Sequence, residues 1–176
     1  MKEKYLIVID VQNDFVDGSL GSEEAQKAVP FIVSKVENFD GVVLFTRDTH
    51  SADYLSTQEG KYLPVVHCVE DTHGWELIEP LRAFAEHRGS VIYNKPSFGN
   101  LSLSRDIKSL FELGNLESVE LIGLDTDICV ISNALIIKSA VPECPIYVDP
   151  LCCAGSTPEK HAAALEVMKS SQVLVR

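Results

Sequence analysis

VELIGLDTDICVISNAL, residues 119–135, contains the transition that orients the rest of the chain. An apolar run ends at Gly123, and helical spacing takes over from Asp127. That order places Cys129 in the first turn of a helix, just past the C-terminal end of a buried strand. Free amide donors and the positive end of the helix dipole favour thiolate over thiol at such a position. Two other apolar runs, YLIVID and SVIYNK, end in Asp10 and Lys95. A carboxylate, an ammonium and a thiol at three strand ends make a candidate nucleophilic set.

Short apolar runs recur at 5–9, 42–46, 90–93, 118–122, 145–148 and 172–175. They are continuously apolar rather than alternating, as strands buried on both faces of a parallel sheet are. Helical spacing occupies 23–36 behind Ser22, 76–87, 101–113 and 127–140. It returns over 158–170, behind the cap-and-proline pair Thr157-Pro158. Strand and helix alternate throughout, which predicts an α/β fold. The expected architecture is a three-layer α/β/α sandwich on a mainly parallel sheet of about six strands, one domain over 1–176. The stretch 47–75 has no clear periodicity, and a loop that long in a compact domain is usually functional. Ligands of such sheets bind at the C-terminal strand ends, where Asp10, Asp48, Lys95 and Cys129 would gather.

A net charge of -11 argues against nonspecific binding to nucleic acid or an anionic membrane. No segment approaches the ~20 apolar residues that span a bilayer. The start, MKEKYLIVIDVQNDF, suits a strand better than an export signal. Five cysteines cannot all pair in disulfides, so a reducing cytoplasm is the expected location.

Each residue also has a plainer use. Asp10 fits a base that accepts the thiol proton, and equally a turn cap. Lys95 is held extended by Pro96; it would either lower the thiol pKa or lie along a sheet edge. Cys68, Cys144, Cys152 and Cys153 lack the strand–turn–helix setting and read as small buried hydrophobes. Asp48, His50 and His67 offer a carboxylate and two imidazoles with coordination positions left open, or three solvated loop residues. His73, His87 and His161 have no partner pattern, and the last two are expected on solvated helix surfaces.

Together the segments LIVIDVQNDFVDGSL, TRDTH, VVHCVEDT, KPSFG and GLDTDICV resemble the isochorismatase-like cysteine hydrolase superfamily over nearly the whole chain. Within it the chain looks most like the nicotinamidases. That resemblance implies hydrolysis of a small carboxamide through a thioester, with nicotinamide converted to nicotinate in NAD salvage. It implies Asp10, Lys95 and Cys129 as catalytic residues. Asp48, His50 and His67 would hold one divalent metal ion, zinc, with iron or manganese as alternatives. Phe15 would be the aromatic wall of the substrate pocket. The Asp125 and Cys129 backbone amides would form the oxyanion hole, with a cis bond between Leu124 and Asp125. Two positions depart from the nicotinamidase pattern. Pro64 stands where an aromatic usually lines the substrate, and Asp125 where alanine is usual. The nearest alternative is a related amidohydrolase acting on an N-carbamoyl or ureido compound. Relatives are often oligomers, so a homo-oligomer is a further expectation.

Overall fold

The computed structural model describes residues 2–176. Strands β1 (Glu3–Ile9), β2 (Val42–Asp48), β3 (Ile92–Lys95), β4 (Leu116–Leu124), β5 (Ile146–Ala154) and β6 (Leu174–Val175) form one six-stranded sheet, ordered β3-β2-β1-β4-β5-β6. Every pairing is parallel. Leu6, Ile7, Val8 and Ile9 are fully buried because helices cover both faces, which is why their run has no polar alternation.

The helices are α1 (Asn13–Val16), α2 (Glu23–Glu37), α3 (Gln58–Tyr62), α4 (Glu79–Arg88), α5 (Leu101–Glu112), α6 (Ile131–Ala140) and α7 (Pro158–Ser170). Packing groups α2 with α4, and α5 with α6 and α7, as right-handed crossovers about the sheet require. The strand order reverses direction between β1 and β4. Four strand ends beside that switch point carry Asp10, Asp48, Lys95 and the turn after Leu124.

Several boundaries differ from the sequence expectation for tertiary reasons. Helix α4 begins at Glu79 rather than 76, because Leu77 is drawn into a bridge with Gln12 and Ile78 caps the helix ahead of Pro80. Strand β5 runs past Pro150 to Ala154, through a register shift opposite Leu121/Gly123. The stretch 47–75 is not structureless. It holds α3, capped by Thr57, whose hydroxyl accepts from Gly60 N–H at 3.0 Å. A helix of five residues is too short to show a period. The expected helix over 127–140 opens with a π turn, Thr126–Val130, before α6. Among the described residues, no helix is long and apolar enough to cross a membrane.

Candidate active site

Parallel register brings the chemistry together. Ile9 pairs with Thr46 on one side and Gly123 on the other, and Asp48 pairs with Lys95. Gly123 has φ 119°, and a Cβ there would lie 2.1 Å from the Ile9 carbonyl oxygen. Only glycine permits β4 to pass β1 so closely on its way to the Cys129 turn.

Lys95 is 1% exposed, and its Nζ lies 2.6 Å from Asp10 Oδ2. It donates to Asp48 Oδ1 at 3.2 Å and to Cys129 Sγ at 3.3 Å. The Asp10 contact is a fully buried ion pair. The other oxygen, Oδ1, accepts the Thr46 hydroxyl at 2.6 Å. Asp10 itself sits at φ 49°, a left-handed conformation that aspartate tolerates better than most residues.

Burial raises the Asp10 pKa, and the Lys95 ammonium only partly offsets this. Burial also lifts the Cys129 thiol well above its usual range, the Asp10 carboxylate adds to that, and Lys95 opposes it. For Lys95 burial disfavours charge, but Asp10, Cys129 and Asp48 together raise its pKa. These directions favour an ammonium at Lys95 and a neutral thiol at Cys129. That reverses the thiolate expected from the helix N-terminus: desolvation and an adjacent carboxylate outweigh a partial dipole charge.

Removing the Thr46 hydroxyl takes a hydrogen bond from the charged form of Asp10, which raises the carboxyl pKa further. A base must be ionised to work, so in Thr46→Val the acid limb of the kcat/KM profile moves to higher pH. The loss at neutral pH is about tenfold, and Thr46→Ser restores the profile. An unmoved acid limb would show that Thr46 does not tune Asp10.

On the other side of Lys95 lies a second cluster. One ligand atom from each of Asp48, His50, Glu59 and His67 falls within 4.8 Å of the others. The His67 Nδ1–H donates to the Val65 carbonyl at 2.8 Å, which turns the Nε2 lone pair toward the cluster. Nε2 lies 3.4 Å from Asp48 Oδ2 and 3.9 Å from Glu59 Oε1. Acceptors converging in this way need a proton or a cation between them. Burial disfavours a charged His67, but the Asp48 and Val65 partners overcome it and raise its pKa. Two imidazoles and two carboxylates in one buried pocket fit a divalent metal ion.

Both clusters open on a cavity of about 340 Å³, within the roughly 300–1,000 Å³ typical of small-molecule sites. Phe15, expected as the aromatic wall, lines it, with its ring centroid 5.7 Å from that of His67. Pro64, expected beside it, is exposed and absent from the wall. Leu63 takes that place, its carbonyl held by the Tyr54 hydroxyl at 3.0 Å. Phe98 supplies a second aromatic surface. Asp125 and Cys129 both border the cavity. The Asp125 N–H has no hydrogen-bond partner among the described residues. The other four cysteines are buried and free, as expected. His161 departs from its expected solvated place: it is partly buried, with Nδ1 2.8 Å from the Thr126 hydroxyl.

Residues that the spacing did not single out hold this arrangement in place. Glu59 arrives on α3, a helix that periodicity could not reveal. The Gln12 amide accepts from Asp48 N–H at 2.7 Å and donates to the Asp48 carbonyl at 2.9 Å and the Trp75 carbonyl at 2.8 Å. The Asp14 carboxylate accepts from Cys68 N–H at 2.8 Å, steadying the residue after His67. The Asn133 Nδ2 donates to the Cys129 carbonyl at 2.8 Å and the Phe98 carbonyl at 3.1 Å. Only the last carries a sequence signal, a polar side chain one helical turn beyond the nucleophile.

The Isochorismatase domain family model matches residues 4–176. The chain belongs to the isochorismatase family. A nicotinamidase of Schizosaccharomyces pombe is 29% identical to it over 205 residues, spanning 97% of this chain and 91% of that protein. The solved nicotinamidase/pyrazinamidase of Bacillus subtilis is 30% identical, covers 99% of both chains and superposes with a TM-score of 0.82. The pyrazinamidase of Pyrococcus horikoshii, solved in complex with zinc, is 27% identical, with 99% and 98% coverage and a TM-score of 0.80. The Leu124–Asp125 bond of this isochorismatase-family chain is cis, as the resemblance led us to expect.

Proposed function

We propose that this chain is a cysteine amidohydrolase that converts nicotinamide to nicotinate and ammonia. The observation that carries the reading is the Lys95 ammonium, shared at 2.6 Å, 3.2 Å and 3.3 Å by Asp10, Asp48 and Cys129 in one buried cluster. Asp10 takes the proton from Cys129 Sγ, and Lys95 stabilises the charges that result. The thiolate attacks the amide carbon. The Asp125 and Cys129 amides hold the oxyanion, a contribution of about 3 kcal/mol per donor. As the C–N bond breaks, Asp10 returns the proton to nitrogen and ammonia leaves. Water then attacks the thioester, Asp10 takes its proton, and the C–S bond breaks to release the acid and restore the thiol.

The Asp48, His50, Glu59 and His67 side chains would hold a divalent cation, zinc on the chemistry of two imidazoles and carboxylates, with iron or manganese also compatible. When bound, that cation supplies a ligand position for a ring nitrogen and so anchors the substrate. Phe15 and Phe98 give the ring two apolar surfaces. A thiol nucleophile and four further free cysteines suit a reducing cytoplasm.

Ammonia release from nicotinamide by the purified protein, with bound metal measured on the same sample, tests the proposal. Robust release with about one metal per chain is expected. His50→Ala loses metal and raises KM more than it lowers kcat, since its ligand touches no reacting atom. No release from nicotinamide by metal-loaded protein overturns the substrate, and full activity in metal-free protein overturns the anchoring role.

A further inference from the structure

The turn that carries the nucleophile is held from a second direction, by the start of α7. Thr126 stands between the two residues whose amides hold the oxyanion in the mechanism above, one position after Asp125 and three before Cys129. It is fully buried, and among the described residues its hydroxyl has one hydrogen-bonding partner, His161 Nδ1 at 2.8 Å. The next residue of the turn is tied to the same end of α7. Asp127 Oδ1 accepts from the Ser156 N–H and Oδ2 from the Ser156 hydroxyl, both at 2.7 Å. The two segments are pressed together: a Cβ at Gly155 would lie 2.8 Å from Asp127 Oδ1 and 2.9 Å from His161 Cβ. Burial outweighs the Asp127 carboxylate and lowers the His161 pKa, so the ring is neutral at neutral pH. Without that ring the buried Thr126 hydroxyl is left unsatisfied, and the backbone beside it must shift to find another partner.

His161 is absent from the cavity wall, so it can reach the chemistry only through the turn. We propose that His161 is a positioning residue: by holding Thr126 it fixes the backbone so that the Asp125 and Cys129 N–H groups aim at the developing oxyanion. The inference rests on the reading that an amide is hydrolysed at Cys129, and it gives α7 a part in that step. The Asp127–Ser156 bonds set where the helix start lies against the turn. The His161–Thr126 bond then sets the segment between the two donors. Such donors act on the tetrahedral state and little on the bound amide. A misaimed donor therefore lowers kcat and leaves KM nearly unchanged.

The test measures kcat and KM for nicotinamide at neutral pH in native protein, His161→Leu, His161→Asn and His161→Gln. Asparagine can put a polar atom where Nδ1 lies, whereas the longer glutamine places its own nearer Nε2. His161→Leu is expected to lower kcat by about tenfold to a hundredfold with KM nearly unchanged. Asparagine restores most of kcat, and glutamine does not. Pyridine-3-carbaldehyde gives a readout apart from turnover. Its carbonyl carbon bonds to Cys129 Sγ, the thiol proton passes to its oxygen, and that oxygen lies where the two amides aim. Its affinity should fall in step with kcat/KM across the variants, while that of nicotinate holds. If the leucine variant does not fold, glutamine against asparagine decides. A native kcat in His161→Leu, a loss that asparagine does not restore, or a loss carried mainly by KM overturns the inference. Failure of the native protein to hydrolyse nicotinamide overturns the proposed substrate instead, and the aldehyde affinities still decide the role of His161.

Discussion

Cys129→Ala eliminates ammonia release, a loss of about ten-thousandfold or more, and leaves the fold intact. The two halves of that result have separate causes. Activity goes because the only covalent step runs through Sγ, and the remaining cavity and amides can only bind. Stability survives because the thiol at rest is neutral and removing it strands no charge. Lys95 loses one bond of 3.3 Å but keeps Asp10 at 2.6 Å and Asp48 at 3.2 Å. The lost sulfur leaves a small void costing about 1 kcal/mol. Ammonia release and thermal unfolding on the same preparation read both halves. Replacing Cys68, Cys144, Cys152 or Cys153 should spare turnover, since none of them contacts Lys95. Residual activity of even a few per cent in Cys129→Ala would exclude the thioester route.

Lys95→Met has the largest expected effect on stability, and it removes activity as well. Methionine roughly preserves volume, so the change isolates charge. Without the ammonium, Asp10 keeps only the Thr46 hydroxyl as a side-chain partner, whereas Asp48 retains its histidines. An uncompensated buried carboxylate costs about 3–5 kcal/mol. The pH dependence has a definite sign. Asp10 is already raised by burial, and losing Lys95 raises it further. A carboxyl raised in the folded state leaves stability intact below its unfolded pKa and loses it as pH rises toward the folded value. The stability gap between native protein and Lys95→Met should therefore be small near pH 4 and widen toward pH 8. Turnover fails across that range because a protonated Asp10 cannot accept the thiol proton. Urea unfolding at several pH values measures the gap, and a gap independent of pH would show that Lys95 does not neutralise Asp10. Lys27→Met is the control. Its pairing with Glu23 at 3.4 Å lies between side chains 70% and 84% exposed, and should be worth almost nothing.

The layout of the sheet was legible before any coordinates. Continuous apolar runs separated by amphipathic segments admit few arrangements other than a covered parallel sheet, and a parallel sheet puts all its C-terminal strand ends on one edge. The places of Asp10, Lys95 and Cys129 on that edge follow from the geometry, because each stands at or just beyond the end of its run, whereas their joint role came from the family resemblance. Gly123 marked the end of its run, while its close passage past β1 emerged only from the fold. Such features are local: they depend on which face a residue presents and where its strand stops.

Tertiary structure decided the rest. Glu59 entered the cation cluster on a five-residue helix whose position depends on the fold of the 47–75 segment. Leu63 and Phe98 formed wall that Pro64 was expected to supply, because wall composition depends on how two distant loops meet. The balance tips toward the neutral thiol through burial and through a carboxylate 119 positions away in the chain, at Asp10. Periodicity reports faces and ends, while dielectric and convergence are set by residues far apart in the chain. Thus periodicity located the sheet, its C-terminal edge and the places of Asp10, Lys95 and Cys129 along it; folding set the balance of their charges, brought Glu59 to Asp48, His50 and His67, and shaped the cavity.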